Sequence, residues 1–427
     1  MSGPVIGFAG MTHLGINSAA ASLGRGFATV CFDADRALIG RIRNGELPVV
    51  EPGLPELLQE HAGRVEFTSD IQDLSRCAVV YIATDVPTDD QGQSDLRDIS
   101  ALIDRVAAAL APDAVMVVLC QVPPGFTRGL AVPADRLIYQ VETLVFGRAV
   151  ERAMHPERFI IGCADPSRPL PAAYRTFLEA FGCPLLPMRY ESAELAKIAI
   201  NCCLVASVTV ANTLAELSER INADWHEIAP ALKLDRRIGQ HSYLAPGLGL
   251  AGGNLERDLA TVLRLAGETG SEAGLIRSFV DNSRHRRDWV LRTLHREVFA
   301  HNPEPGIAIL GLAYKENTHS TKNSPALALI RHLGPWPLRV YDPVVPAQAA
   351  SHPRATGCTS ALDAATGADV LVIMTPWPEF RELAPAALAN VMKGRIVIDP
   401  YRVVDGRSWA EAGFDYLTLG VAPLKKV

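Results

Sequence analysis

Cysteine is scarce in this 427-residue chain: eight residues, with no CxxC pair, no HExxH and no Cys/His cluster at zinc-ligand spacing. A structural metal site is therefore not expected, and thiols used this sparsely belong to a reducing, cytoplasmic compartment. Basic excess is lacking too, since 41 Lys and Arg stand against 47 Asp and Glu for a net charge of −6, which argues against a dedicated nucleic-acid binder. The 33 Gly and 30 Pro are spread along the chain, so they mark turns and not a collagen-like or linker-like tract. The first ten residues, MSGPVIGFAG, lack a basic segment followed by a long apolar core, so no secretory signal is read there. The most apolar stretch, Cys202 to Ala211, is broken by Ser and Thr and has half the ~20 residues of a membrane span, so no membrane partner is expected.

What is present is the composition of a folded enzyme-sized protein, 48% hydrophobic and 21% charged, with length for two or three domains. From Pro4 a β-rich run (VIGF) leads through a Gly-containing turn into an Ala-rich helical stretch (Ile16 to Leu23) and a second strand (ATVCFD), a βαβ unit. Strand candidates recur at Val79–Ala83, Val115–Cys120 and Phe159–Ile161, with helical patterns such as Ile99–Leu110 between them. That alternation predicts an α/β fold with a doubly wound, mostly parallel sheet. Between Arg189 and Ala229 there is neither Gly nor Pro, and the segment ELAKIAINCCLVASVTVANTLAELSERI suits one long helix that is apolar on more than one face. Such a helix should be a buried connector and the interface of a homodimer. A second βα series begins near Gly306 with IAILGLAY, a helix over Pro325–Leu333, and strands LRVYDP, ADVLVIMT and GRIVIDP. The expected organisation is a Rossmann-type domain over 1–188, a helical connector over 189–300 and a second Rossmann-like domain over 301–427, with a ligand cleft between the nucleotide-type folds.

The first turn reads Gly10-Met11-Thr12-His13-Leu14-Gly15, the GxGxxG spacing with Thr at its middle position, and Asp33 follows 18 residues beyond Gly15. The first Gly permits the tight turn, the last lets helix pack on sheet, and the helix N-terminus faces a pyrophosphate. Asp33 would accept from ribose hydroxyls, so NAD is expected over NADP. Thr12 stands where bare backbone normally admits the pyrophosphate, so it must displace the cofactor slightly or offer its hydroxyl.

Several segments, in matching order and over almost the whole chain, resemble the UDP-glucose/GDP-mannose dehydrogenase family. They are Asn44–Leu54, Asp85–Leu96, Gln121–Thr127, Glu194–Asn201, Asp235–Gly239, Pro246–Asp258, Gly311–Pro325 and Val340–Pro343. Members of that family oxidise the C6 alcohol of a nucleotide sugar to a carboxylate in two NAD-dependent steps. The resemblance implies that Lys197 and Asn201, four apart and so on one helix face, hold the reacting oxygen. It makes Asp258 a base or water activator, and Glu142 a base for hydrolysis, although Gln140, Val141 and Thr143 depart from the family's Asn-Pro-Glu-Phe-Leu. Pro87, Gln121 and Lys322 would lie on the cofactor side. Thr143, Leu144, Arg237 (reaching from a second subunit), Tyr243, Gly247, Leu250 and Lys315 would contact the nucleotide sugar. Leu250 and Ala251 replace Phe and Gly of the family's sugar-facing loop, so the sugar can differ from glucose.

The main departure is Asn254, which stands where the family carries its nucleophilic Cys. A carboxamide cannot form a thiohemiacetal or thioester. Oxidation that stops at the aldehyde, or a redox-neutral reaction that returns the hydride, is the first expectation. Full oxidation through the aldehyde hydrate and a non-catalytic binding homologue are the alternatives. Cys120, Cys202 and Cys203 are the remaining thiols that could substitute.

Overall fold

The computed structural model describes residues 3–87, 89, 93–251 and 253–426. Residues 88 and 90–92 of the Asp85–Leu96 segment and residue 252 of the Gly-rich loop lie outside that description. The chain divides into two compact units, 1–200 and 201–427.

The first unit carries eight strands: β1 (Ile6–Ala9), β2 (Thr29–Phe32), β3 (Val65–Thr68), β4 (Val79–Ile82), β5 (Val115–Val118), β6 (Leu137–Gln140), β7 (Phe159–Cys163) and β8 (Leu185–Arg189). Their order in the sheet is β3-β2-β1-β4-β5-β6-β7-β8, and every pairing is parallel except β6 with β7. β1, β2, β4, β5, β6 and β7 are buried along their whole length. This is why they read as continuous Val/Ile/Leu/Phe runs and not as an alternation. β3 and β8 lie at the sheet edges, are only partly buried, and carry a weaker sequence signal.

The second unit carries β9 (Ile307–Leu310), β10 (Leu338–Tyr341), β11 (Ala355–Gly357), β12 (Val370–Ile373), β13 (Ile396–Ile398) and β14 (Asp415–Leu417). They form a wholly parallel sheet in the order β11-β10-β9-β12-β13-β14. The predicted α/β class with two doubly wound sheets is what the molecule has.

The predicted long helix runs unbroken over Tyr190–Ile221. It ends because Asn222 takes a left-handed conformation (φ 60°) and Asp224 then caps the next helix, Trp225–Leu234, by accepting from His226 N at 2.9 Å. One expectation needs correction. This helix is long and apolar enough to cross a membrane by length and composition, with a mean hydropathy of 1.8 over its best 18-residue window. The run between polar residues understates the helix, because Ser and Thr barely lower the average and the many Ile, Leu, Val, Cys and Ala outweigh Asn201 and Asn212. The polar groups in that window nonetheless serve protein contacts. Asn212, 1% exposed, accepts Gly247 N–H through Oδ1 at 2.8 Å. Leu195, Val210, Leu214, Leu217 and Ile221 remain exposed along the helix.

Candidate active site

In the first unit the strand order reverses between β1 and β4, and ligands of doubly wound sheets bind outside the carboxyl ends of the strands at that point. Gly10 follows β1 with φ +103°, and a Cβ on it would come within 3.0 Å of Thr84 N. The helix His13–Gly24 begins three residues later. Gly15 is its closest approach to the turn, since a Cβ there would lie 1.8 Å from Gly10 O. Thr12 is the N-cap but makes no capping hydrogen bond, so the first N–H groups of the helix are not consumed by it. Its Oγ1 leans toward Ala83 O at 3.4 Å. Asp33, just beyond β2, accepts from Met11 N (2.8 Å) and Asp35 N (2.9 Å). An uncapped helix terminus, a glycine cradle and a carboxylate at the end of β2 fit the pyrophosphate and adenosine ribose of NAD.

Two neighbours of this turn escaped the sequence reading. His13 Nε2 meets Glu51 Oε1 at 2.8 Å, both groups are buried, and the ring stacks on Phe146 at 3.9 Å. Glu51 also accepts Gly147 N at 2.8 Å and Ala149 N at 3.2 Å, so it pins the loop that follows Glu142 to the dinucleotide turn. The available signal was a carboxylate in an otherwise apolar segment, which demands partners. Glu194 is the second. Fully buried, it accepts Gly125 N (2.6 Å) and Thr127 N (2.9 Å) and thereby shapes the Gln121–Thr127 loop, while burial pushes its carboxyl up.

One turn on from Glu194, Lys197 donates through Nζ to Glu142 O at 2.8 Å and lies 3.9 Å from Glu142 Oε2. The two sequence-predicted residues therefore meet. Both side chains are mostly buried, a setting in which the ammonium acts more strongly on a developing negative charge than in water. Thr143 and Leu144, the next two residues, are half-buried, and Thr143 O takes Arg152 Nε at 3.4 Å. Pro87 is exposed, with its carbonyl on Asp95 N at 2.9 Å, and Gln121 is half-buried beyond β5.

The second unit brings Asn201 and Asp258 together, Nδ2 to Oδ2 at 2.5 Å. Asp258 is 1% exposed, and Arg257 Nε lies 3.5 Å from its other oxygen. An amide donor faces one oxygen and a guanidinium lies near the other, so both carboxylate oxygens have a donor beside them at this depth. Arg257 and Asp258 come from the helix Asn254–Thr269, which starts after Gly253 (φ +102°). Asn254 is its first residue and is exposed. Lys322 lies alongside, its Cγ 3.4 Å from where a Gly253 Cβ would stand, and Asn323 Nδ2 donates to Glu256 Oε2. Burial pushes the Glu256 carboxyl up, against the bond from Asn323 and the nearby Arg287, Lys322 and Arg284.

Other predicted residues take different settings. Gly247 N is held by Asn212. Leu250 is 7% exposed and packs in a cluster with Val205, Leu259 and Phe279, so its side chain serves the core behind the loop. Arg237 is exposed and paired with Asp235 at 2.6 Å, Tyr243 is half-exposed, and Lys315 Nζ sits 5.8 Å over the Tyr314 ring. Among the thiols, Cys120 is buried with its Sγ toward Ile82 O, and burial pushes its pKa far up. Cys202 is pushed up to about 11 by burial and by Asp258. Neither is a thiolate near neutrality.

Two doubly wound nucleotide-type sheets, with a dinucleotide turn on the first, place the chain in the two-Rossmann class. Three family models match: the NAD binding domain (5–178), central domain (191–284) and UDP binding domain (308–406) of the UDP-glucose/GDP-mannose dehydrogenase family. The chain belongs to that family of NAD-dependent nucleotide-sugar dehydrogenases. It is similar to UDP-glucose 6-dehydrogenase TuaD of Bacillus subtilis, 28% identical over 96% of this chain and 92% of the relative. UDP-glucose 6-dehydrogenase of Rhizobium meliloti is 30% identical over 96% of this chain and 98% of its own. Among solved structures, a UDP-glucose dehydrogenase from the hyperthermophilic archaeon Pyrobaculum islandicum superposes with a TM-score of 0.85 at 25% identity, covering 98% of each chain.

Proposed function

We propose that this protein oxidises the C6 alcohol of a UDP-sugar to the aldehyde with NAD and stops there, because Asn254 replaces the nucleophile that would carry the aldehyde on to the acid. The observation that carries the reading is the clamp on Asp258. Buried, with Asn201 on one oxygen and Arg257 near the other, it is placed to accept a proton on the same helix as Asn254.

NAD, when bound, supplies the hydride acceptor. Gly10, Gly15 and the uncapped helix start would hold its pyrophosphate, and Asp33 its adenosine ribose. Lys197 stabilises negative charge on the C6 oxygen as the hydroxyl proton leaves, and Asn201 orients that oxygen. Asp258 takes the proton directly or through one water. The C6–H bond breaks with its electron pair leaving as hydride, so one alcohol yields one aldehyde, one NADH and one proton. With a carboxamide at position 254 no covalent thioester forms. Residues 189–300 serve as the connector, and the exposed Leu195, Val210, Leu214, Leu217 and Ile221 of the long helix form the interface of a cytoplasmic homodimer.

The test is NADH yield against product mass with a panel of UDP- and GDP-sugars. One NADH per sugar and a product lighter by two hydrogens are expected, and Asn254→Cys should raise the yield to two NADH and an acid. Two NADH from the natural chain would overturn the reading in favour of a hydrate route. No NADH with an unaltered, bound sugar would make the chain a binding protein.

A further inference from the structure

A cavity of about 200 Å³ lies in the second unit, away from Asp258 in the sequence. It is enclosed by the last turns of the long helix, the helix Trp289–Leu294 with its continuation, and the C-terminal segment 417–423. At roughly 30 Å³ per water it is room for about six or seven waters, more than a packing defect requires. Its polar lining is Glu216, Glu219, Arg220, Arg292, Thr293 and Arg296.

The two carboxylates are already satisfied. Glu216 accepts from His285 (2.8 Å), Arg286 (3.0 Å) and Arg220 (3.2 Å). Glu219 accepts from Arg286 (3.3 Å), Trp289 Nε1 (3.0 Å) and Gly420 N (3.0 Å). Arg286, fully buried behind them, bridges the pair. Four guanidinium groups thus stand against these two satisfied carboxylates and Glu297, which pairs with Arg296. Arg292 spends Nη1 on His285 O at 2.7 Å and has Nη2 3.3 Å from His285 Nε2, and Arg296 spends Nε on Glu297 at 2.7 Å, which leaves the Nη groups of Arg296 and the weaker Nη2 contact of Arg292 for a ligand. Thr293 is 1% exposed, and among the described residues its Oγ1 has no partner. A buried hydroxyl without a partner is costly unless something supplies one.

We propose that this cavity is a second ligand site for a small tetrahedral oxyanion of the phosphate class, taken by the Arg292 and Arg296 forks and the Thr293 hydroxyl. Planar forks suit phosphate oxygens, and an oxyanion also gives the threonine an acceptor. A cation would find the acceptors on Glu216 and Glu219 occupied and the guanidinium charge repulsive. Bound there, the anion braces the helix Trp289–Leu294 and its continuation, and it does so independently of the reaction proposed above.

The experiment is equilibrium dialysis of radiolabelled orthophosphate against the full-length chain, with excess UDP present to fill a nucleotide site. One saturable equivalent is expected, displaced by pyrophosphate. Arg296→Gln and Arg292→Gln should each weaken it by about tenfold or more, and Thr293→Val by several-fold. No saturable binding up to about 10 mM, or equal binding by Arg296→Gln, overturns the proposal. Because Arg292 also braces His285, the more exposed Arg296→Gln and Arg220→Gln carry the test if Arg292→Gln fails to fold.

Discussion

The two sheets open with the same turn and use it differently. β1 ends in Gly10 and β9 in Gly311, both at positive φ (+103° and +93°). A Cβ on either would strike a threonine on the facing strand end, Thr84 or Thr375. In each, an aspartate just past the second strand accepts N–H from the turn: Asp33 from Met11 (2.8 Å), Asp342 from Leu312 (2.6 Å) and Ala313 (3.1 Å). Beyond that they part. Asp33 takes one further backbone donor, Asp35 N, whereas Asp342 also takes Val344 N, Val345 N and Trp377 Nε1. The helix after Gly10 starts at His13, but after Gly311 none starts until Pro325. The first turn keeps a helix terminus and a carboxylate with lone pairs for a ligand, and the second has spent its carboxylate on the fold. A glycine and an aspartate at matching places make a dinucleotide site only when a helix follows at once.

The sharpest way to break this comparison is Gly15→Ala. Its Cβ would overlap Gly10 O, so the first unit should lose more than about 3 kcal/mol and all NAD binding. Glu316→Ala, five residues after Gly311 as Gly15 is after Gly10, should cost less than about 1 kcal/mol. Chemical denaturation with a separate NAD titration reads both, and equal losses would show that the turns are equivalent after all.

A pH scan separates the units next. Asp399, just past β13, is pushed up to about 6 from 3.8 by burial, against bonds from Val404 N and Tyr416 Oη, while the position after β5 in the first sheet is Leu119. Between about pH 4 and 6 the native carboxyl binds more protons than the unfolded one, so this group's contribution falls as pH rises through that window, by about 3 kcal/mol, and is flat above it. Asp399→Asn should remove that slope, and an unchanged slope would place the titration elsewhere.

Asp342→Asn should destabilise the second unit by about 2–3 kcal/mol, because an amide cannot accept five donors. Asp33→Asn should cost the first unit about 1 kcal/mol and weaken NAD by about tenfold or more. The reverse ranking in melts and NAD titrations would sink the distinction between a spent and an available carboxylate. The smallest effect belongs to Thr12→Gly. Removing the branch at the pyrophosphate approach should tighten NAD by up to about tenfold, about 1.4 kcal/mol, and a loss of affinity would mean the hydroxyl is a ligand contact.

Much of this was legible in the residues. Strands buried on both faces appear as apolar runs, which is why VIGF, VVYI, VMVV, IAIL and VLVI were readable one by one, and the long helix was readable from a gap in Gly and Pro. The edge strands β3, β8, β11 and β14 were not, because partly exposed edges carry mixed composition, and neither was the buried β6, whose LIYQ ends in Tyr and Gln. Lys197 and Asn201 could be placed on one helix face from their spacing of four. Their partners were not readable. Glu142 comes to Lys197 from 55 residues away and Asp258 to Asn201 from 57, and local periodicity holds no information on such pairings.

What the sequence determined by itself is therefore local and periodic: the two βα series, the connector helix, the dinucleotide turn with its Thr12, and the carboxamide at 254. What the tertiary structure alone decided is which buried charges found partners. His13 found Glu51, Asp258 found Asn201 and Arg257, and Arg286 found two glutamates, while Leu250 turned into the core. The physical reason is that an ionised group taken out of water must be matched by donors or counter-charges wherever the fold brings them, and that matching is a property of the packed chain and not of any window along it.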